Sequence, residues 1–303
     1  MPAFDVGVQL NRPALLLLNG VIYIAYGSHC DKTTSYHGWI FGHDEKTLAL
    51  KSVYNTTPNG GRGAIWQSGV GLSSDGTDIW TTVGNAENPG NGGFANSVLR
   101  LTPNGTGLTV TSHFQAPVGN NDNDLQSGAP LLGTTGQVVA GGKDGELLLL
   151  GQADLVSRQR LPVGGELNSF VFWNGSAGPT LFTWHVGKTL RAYRVGAGSL
   201  TMTGQGTVST SLHPSAIFTL SSNGAMPGTG IVWGSVPVSG DAWHATATGT
   251  LHAIDATTLM SIWNSGSGAD ALGTYAKYSP PMVANGKVYV ATFAGKLQVY
   301  GLK

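Results

Sequence analysis

The sequence predicts an all-β fold, a β-propeller of four-stranded antiparallel blades, and three observations carry that expectation. A unit made of a short apolar run, a turn, an alternating strand, a second turn and another alternating strand recurs along the whole chain. No stretch of useful length carries the apolar stripe of an amphipathic helix. Turn formers are dense, with 46 glycines in 303 residues, and only 11% of residues are charged while 41% are hydrophobic. That balance suits a rigid β protein better than a disordered one.

Taken in order, the first unit opens at Arg12-Pro13 with the apolar run 14–18, turned by Asn19-Gly20. Alternating residues 21–26 follow, then 39–44 and 48–55, which completes four strands. A second set opens at 67–72, turns at Asp75-Gly76 and continues through 79–83, 97–101 and 108–114. The third opens at 126–132 and runs through 137–140, 146–150 and 158–163. The fourth opens at 168–173, with later strands at 180–184, 189–193 and 200–204. The fifth opens at 213–218 and runs through 230–233, 250–254 and 259–263. The last unit, 278–303, is the cleanest: Asn285-Gly286 and Ala294-Gly295 each turn one apolar run into the next.

These openings lie roughly 40–65 residues apart, the spacing of propeller blades. Radial closure would remove the long edges that an open meander leaves exposed. Six blades in a single domain spanning 1–303 fit best. The last unit has only three strands, so residues 4–10 are expected to supply its fourth and tie the N-terminus to the C-terminus; the alternative is a loose N-terminal tail.

Composition excludes some partners. Sixteen basic and sixteen acidic residues leave a formal charge of zero, so there is no cationic surplus to neutralise nucleic-acid phosphates. No run reaches the length of a membrane helix, and no signal peptide is readable before the first repeat. Cys30 is alone and forms no intrachain disulfide; a buried inert thiol is the expectation.

The repeat register makes Arg12, Gln67, Gln126, Asn168, His213 and Tyr278 equivalent, each opening the first strand of a blade at one mouth of a central channel. Such a ring is polar and nearly neutral. It suits a sugar or small amide, with Trp66 as a stacking surface, or it serves only to bind backbone and channel water. His213 with Tyr278 or Asp124 is the best acid–base combination for catalysis. His29 and His37 are candidate metal ligands if a hairpin brings them together, although their spacing matches no standard zinc site. The run Asn120-Asn121-Asp122-Asn123-Asp124 offers oxygens that calcium favours, and Asx turns explain it equally well. The serines at 68, 127, 169 and 279 follow the opening positions and read as architectural.

Residues 249–263, reading GTLHAIDATTLMSIW, resemble the repeat signature of the pyrroloquinoline-quinone (PQQ) type, with Thr258 where Gly is usual. Asp44-Glu45-Lys46-Thr47-Leu48 is a weaker match, and residues 12–39 resemble bacterial proteins carrying such repeats. The resemblance implies the quinoprotein-like propeller superfamily and suggests a periplasmic or secreted setting. It leaves open that this chain is the C-terminal part of an eight-bladed parent. The dehydrogenases of that superfamily would imply PQQ, a calcium ion, a catalytic Asp and adjacent cysteines, and this chain departs from them. No cofactor is therefore expected. The leading expectation is a non-catalytic module binding a small polar ligand or a protein partner; the alternative is an enzyme acting on a carbohydrate or other small polar substrate by acid–base chemistry.

Overall fold

The computed structural model describes residues 2–31, 36–86, 89–117, 122–128, 132–210, 213–266 and 268–301. The chain divides into two compact units, Met1–Val163 and Gly164–Lys303. Among the described residues there is no α-helix, only two short 3-10 turns at Gly133–Thr135 and Gly268–Asp270. Among these residues no helix is long and apolar enough to cross a membrane.

Among the described residues the first unit holds three antiparallel sheets. The first contains β1 (Gln9–Leu10), β2 (Leu16–Leu18), β3 (Val21–Ser28), β4 (Trp39–Asp44) and β5 (Leu50–Asn55). The second contains β6 (Ser73–Ser74), β7 (Ile79–Val83), β8 (Ser97–Pro103) and β9 (Leu108–Gln115). The third contains β10 (Gln137–Gly141), β11 (Glu146–Gly151) and β12 (Ser157–Pro162). Its expected opening run falls partly on 129–131, outside the described residues.

The second unit repeats the pattern. One sheet has β13 (Phe170–Gly175), β14 (Gly178–Thr183), β15 (Thr189–Gly196) and β16 (Ser199–Ser209). The next has β17 (Ile217–Ser221), β18 (Ile231–Pro237), β19 (Thr248–Asp255) and β20 (Ser261–Asn264), with β21 (Gly273–Thr274) beside β19. The last has β22 (Met282–Ala284), β23 (Lys287–Ala291) and β24 (Leu297–Gly301).

Side chains alternate faces along each strand, and within each unit the facing sides of successive sheets pack together. In β7, Ile79 joins Tyr23, Ala25 and Ile40 of the first sheet. The adjacent Trp80 joins Val138, Leu148 and Leu150 of the third. In β18, Val232 joins Phe182 and Leu190 of the preceding sheet, while Trp233 packs with Val288 and Val290 of the following one.

Three expectations need correction. Residues 4–10 do not complete the last sheet: β1 pairs with β3 through Gln9↔Ser28 and Leu10↔Gly27. β2 covers only Val21 to Tyr23 of β3's edge, which leaves the far end of that long strand open for β1. Phe4 anchors the segment with its ring 5.0 Å from Tyr26, 5.9 Å from Trp39 and 5.1 Å from Phe41. Second, residues 67–72 are not a strand. The Val70 N–H donates to the Gln67 carbonyl and Gln67 Nε2 to the Gly71 carbonyl, which folds the stretch into a turn ahead of the two-residue β6.

The third correction concerns the repeat turn. Asp255 Oδ1 accepts from the Thr257 and Thr258 N–H groups and the Thr258 hydroxyl at 2.9, 2.7 and 3.0 Å. Asp44 does the same with Lys46 and Thr47, and Lys51 together with these donors holds its carboxyl well below the usual range. The left-handed residue, the one that favours glycine, is the next one along: Leu259 (φ 60°) rather than Thr258, and likewise Leu48 (φ 57°) and Leu155 (φ 51°). In each case that leucine's N–H closes the turn onto the carbonyl four residues back. A left-handed backbone costs a non-glycine residue about 1–2 kcal/mol. Leu48 is 65% exposed and Leu259 only 4%. Leu48→Gly is therefore expected to stabilise the protein by about 0.5–1 kcal/mol after the entropy of the freer unfolded chain. Leu259→Gly loses core burial and is expected to cost about 2–4 kcal/mol. Denaturant unfolding of the two variants measures both; equal shifts would contradict this account.

Candidate functional site

In the first unit the structure gathers several sequence candidates at one end of the sheets. The Arg12 guanidinium lies 4.8 Å from the Trp66 ring centroid and donates to the His29 carbonyl at 2.6 Å. Trp66 is 6% exposed, and its Nε1 has no hydrogen-bond partner among the described residues. Trp66 and Asp124 both close over Gly84, where a Cβ would collide with the indole and the carboxylate. Asp124 is 1% exposed. It accepts from the Asn85 N–H at 2.8 Å and from the Lys143 ammonium at 2.7 Å. Burial pushes the Asp124 carboxyl up against the pull of Lys143.

Lys143 also reaches Asp122 at 2.8 Å, and Asp31, Asp122 and Asp124 place carboxylate oxygens within 4.8 Å of one another. Tyr36 donates to Asp31; burial and that bond push its phenol far above the usual range. The lysine supplies among these acids the positive charge a calcium ion would bring. The chain has a single cysteine, Cys30, so the residues present do not fit the PQQ–calcium arrangement. Asn120 and Asn121 lie outside the described residues.

Two other opening amides are engaged inside the fold. Gln67 is fully buried with φ 27°; its Oε1 accepts from the Thr81 hydroxyl at 2.5 Å and the Thr82 N–H at 3.1 Å. Asn168 donates to the Ser215 hydroxyl at 2.8 Å, and Ser169 to the Ala216 carbonyl at 3.1 Å, which ties β13 to the run before β17. Gln126 is buried at 8% exposure. The two histidines proposed as metal ligands have different surroundings. His29 is exposed, whereas His37 is buried with Nδ1 at 3.0 Å from Thr57 Oγ1. Burial lowers the His37 value.

In the second unit His213 and Tyr278 meet, with Nε2 2.8 Å from the phenol oxygen. Sequence reasoning missed the third member: Glu166 Oε2 lies 3.1 Å from His213 Nδ1. Its signal was faint, an acid two residues ahead of the opening Asn168. Trp243 was also missed. It sits in the long loop between β18 and β19, with its ring 4.8 Å from that of His213 and 4.9 Å from that of His244. Tyr278 takes φ 61°, a strained backbone of the kind that collects at functional sites and costs about 1–3 kcal/mol. Asp124 belongs to the first unit.

No family model matches the sequence, and no curated protein matches it. Solved structures do. The WD40 domain of coronin from Toxoplasma gondii is similar with a TM-score of 0.58 at 12% identity, covering 97% of this chain and 74% of that one. BamB from Moraxella catarrhalis is similar with a TM-score of 0.48 at 11% identity, covering 97% and 86%. At such identity the likeness to the coronin domain shows the fold alone, and the fold is a β-propeller.

His185 lies beside this group, since the Val186 N–H donates to the Glu166 carbonyl at 3.1 Å. Its side chain is wholly buried between the Gly164 carbonyl at 3.0 Å and the Thr183 hydroxyl at 2.6 Å. Burial lowers its pKa from 6.5 to about 4. The unfolded chain therefore binds the extra proton first as pH falls. Stability is fully present above about pH 6.5 and is lost as pH falls toward 4, by roughly 3 kcal/mol in all. His37 and His252 shift the same way and add to the slope. Urea unfolding across that window is expected to show the slope reduced by about one proton in His185→Gln. An unchanged slope would assign the effect to the other histidines.

Proposed function

We propose that this chain is a propeller-class protein-interaction module, non-catalytic in that role, whose docking surface is the outer face of its last sheet and whose partner is the first sheet of a second copy. The observation that carries this reading is the exposure of Leu297. The third-strand residues that point toward a following sheet, Ile40, Val98, Leu190 and Leu251, are each 0% exposed. Leu297 stands at the same place in β24 and is 62% exposed.

The ladder puts several apolar side chains on that face. Met282 pairs with Tyr289, Tyr289 with Val299, and Ala291 with Leu297, so all share one side of the sheet. Met282 is 64% exposed and Val299 48%. The opposite side of the same sheet, with Val283, Val288 and Val290, is buried against Leu251.

The sequence supplies the matching cover. Asn19-Gly20-Val21-Ile22-Tyr23-Ile24-Ala25 has the register of Asn285-Gly286-Lys287-Val288-Tyr289-Val290-Ala291. Leu17, Ile22 and Ile24 thus correspond to Val283, Val288 and Val290; Leu17 is 60% exposed. A first sheet laid on another copy's last sheet would repeat the packing that already joins the last two sheets, in a head-to-tail contact. The recurrence of the turn at 44–48, 151–155 and 255–259 supports reading the repeats as PQQ-like. The reading calls for neither PQQ nor calcium.

Sedimentation velocity across a concentration series tests it. The parent protein is expected to self-associate reversibly, and Leu297→Glu with Val299→Glu to leave monomer at every concentration. Leu17→Glu should do the same from the other side, while Leu48→Glu on an exposed turn should change nothing. A parent that stays monomeric throughout, or a double variant that associates like the parent, overturns the proposal.

A further inference from the structure

Glu166, His213 and Tyr278 come from the segments ahead of β13, β17 and β22, and they are joined end to end. A carboxylate engages one imidazole nitrogen at 3.1 Å and a phenol the other at 2.8 Å. With Nδ1–H donated to Glu166, Nε2 is left to accept the Tyr278 proton. The Glu166 and His213 side chains are 18% and 13% exposed, so the group is sheltered yet reachable.

Its surroundings suit an anionic ring. Trp243 is 53% exposed and lies against His213. The Ala242 N–H donates to the His213 carbonyl at 2.9 Å and fixes that loop. The Lys277 ammonium lies 5.8 Å from the Tyr278 ring centroid. Trp243 and Lys277 also line an adjoining cavity of about 250 Å³ with His244, Tyr275 and Phe293. An exposed indole stacks on the C–H face of a sugar, and an ammonium pairs with a carboxylate.

We infer that these residues form an acid–base centre that cleaves uronate-containing polysaccharides by β-elimination. His213 takes the phenol proton while Glu166 holds the resulting imidazolium. The Tyr278 oxygen then removes the proton α to the uronate carboxylate, whose charge Lys277 offsets. The C–H electron pair becomes a C=C bond as the bond to the β-oxygen breaks, and Tyr278 returns the proton to that leaving oxygen. His213 gives its proton back to the resting centre. Nothing is oxidised, no water is consumed and no cofactor is needed; one chain becomes two, one of them with an unsaturated end. Tyr278 is the catalytic residue, His213 its base, and Glu166 a positioning residue.

The purified full chain is incubated with polygalacturonate, alginate, hyaluronan and chondroitin sulfate, and the ultraviolet absorbance of the conjugated double bond is followed. Product is expected from at least one polymer. Tyr278→Phe, which keeps the ring, should lower the rate roughly 10²–10⁴-fold. Glu166→Gln should lower kcat at nearly unchanged KM and move the pH profile, whereas Trp243→Ala should act mainly on KM. Unfolding midpoints of the variants establish that they are folded. No unsaturated product from any of the four polymers, or a Tyr278→Phe variant as fast as the parent, overturns the inference. Neither result bears on self-association through Leu297, which lies on a different face.

Discussion

Each sheet of this protein has two apolar faces and needs two covers, and that requirement organises the rest. Side chains alternate along a strand, so Ile79 and Trp80, or Val232 and Trp233, are committed to opposite neighbours by one peptide step. A fully buried leucine contributes roughly 1.5–3 kcal/mol relative to exposure, and β11 alone buries Leu147, Leu148, Leu149 and Leu150. Close stacking also dictates where side chains must be absent. A Cβ at Gly234 would meet the Trp184 ring at 2.6 Å, so the strand carrying Trp233 has no room for a larger residue there.

Local elements were legible because their chemistry is local. Asn19-Gly20 and Asn285-Gly286 hold the left-handed residues that tight hairpins require, and all four take positive φ. Alternation in 21–26 and 287–292 then fixed both strand and face. What stayed hidden depends on vacancies elsewhere in the fold. The pairing of Gln9 with Ser28 follows from β2 beginning only at Leu16, opposite Tyr23, which leaves the far part of that β3 edge open. The turn at Gln67 follows from a side chain that satisfies Gly71, Thr81 and Thr82 at once. Neither fact has a signature at the residues concerned.

The candidate site was legible to the extent that repeat register is. Aligning the openings of the last two units put His213 and Tyr278 at equivalent places, and neighbouring sheets bring equivalent places together. Register says nothing about which side chain turns inward. Gln67 and Asn168 occupy matching positions and spend their amides on internal bonds, because a buried amide left unpaired costs about 1–3 kcal/mol. Glu166 was hidden for the opposite reason: it precedes an opening position, and only the fold brings its carboxylate beneath the imidazole.

The scarcity of charge gives the few buried ion pairs a particular weight. Asp78 is 3% exposed and accepts from Arg100 Nε at 2.8 Å and from the Thr102 hydroxyl at 2.5 Å, with the guanidinium 5.6 Å from the Trp80 ring centroid. Such a pair adds little over apolar packing of equal volume, yet removing one partner strands a charge at a cost of about 3–5 kcal/mol. Its effect is to select a register. Slipping β8 by one residue against β7 would turn Arg100 to the other face and leave Asp78 alone. In a molecule built from similar sheets, where many apolar pairings are nearly as good as the right one, a handful of buried charges excludes the wrong ones, and a neutral chain can hold one arrangement.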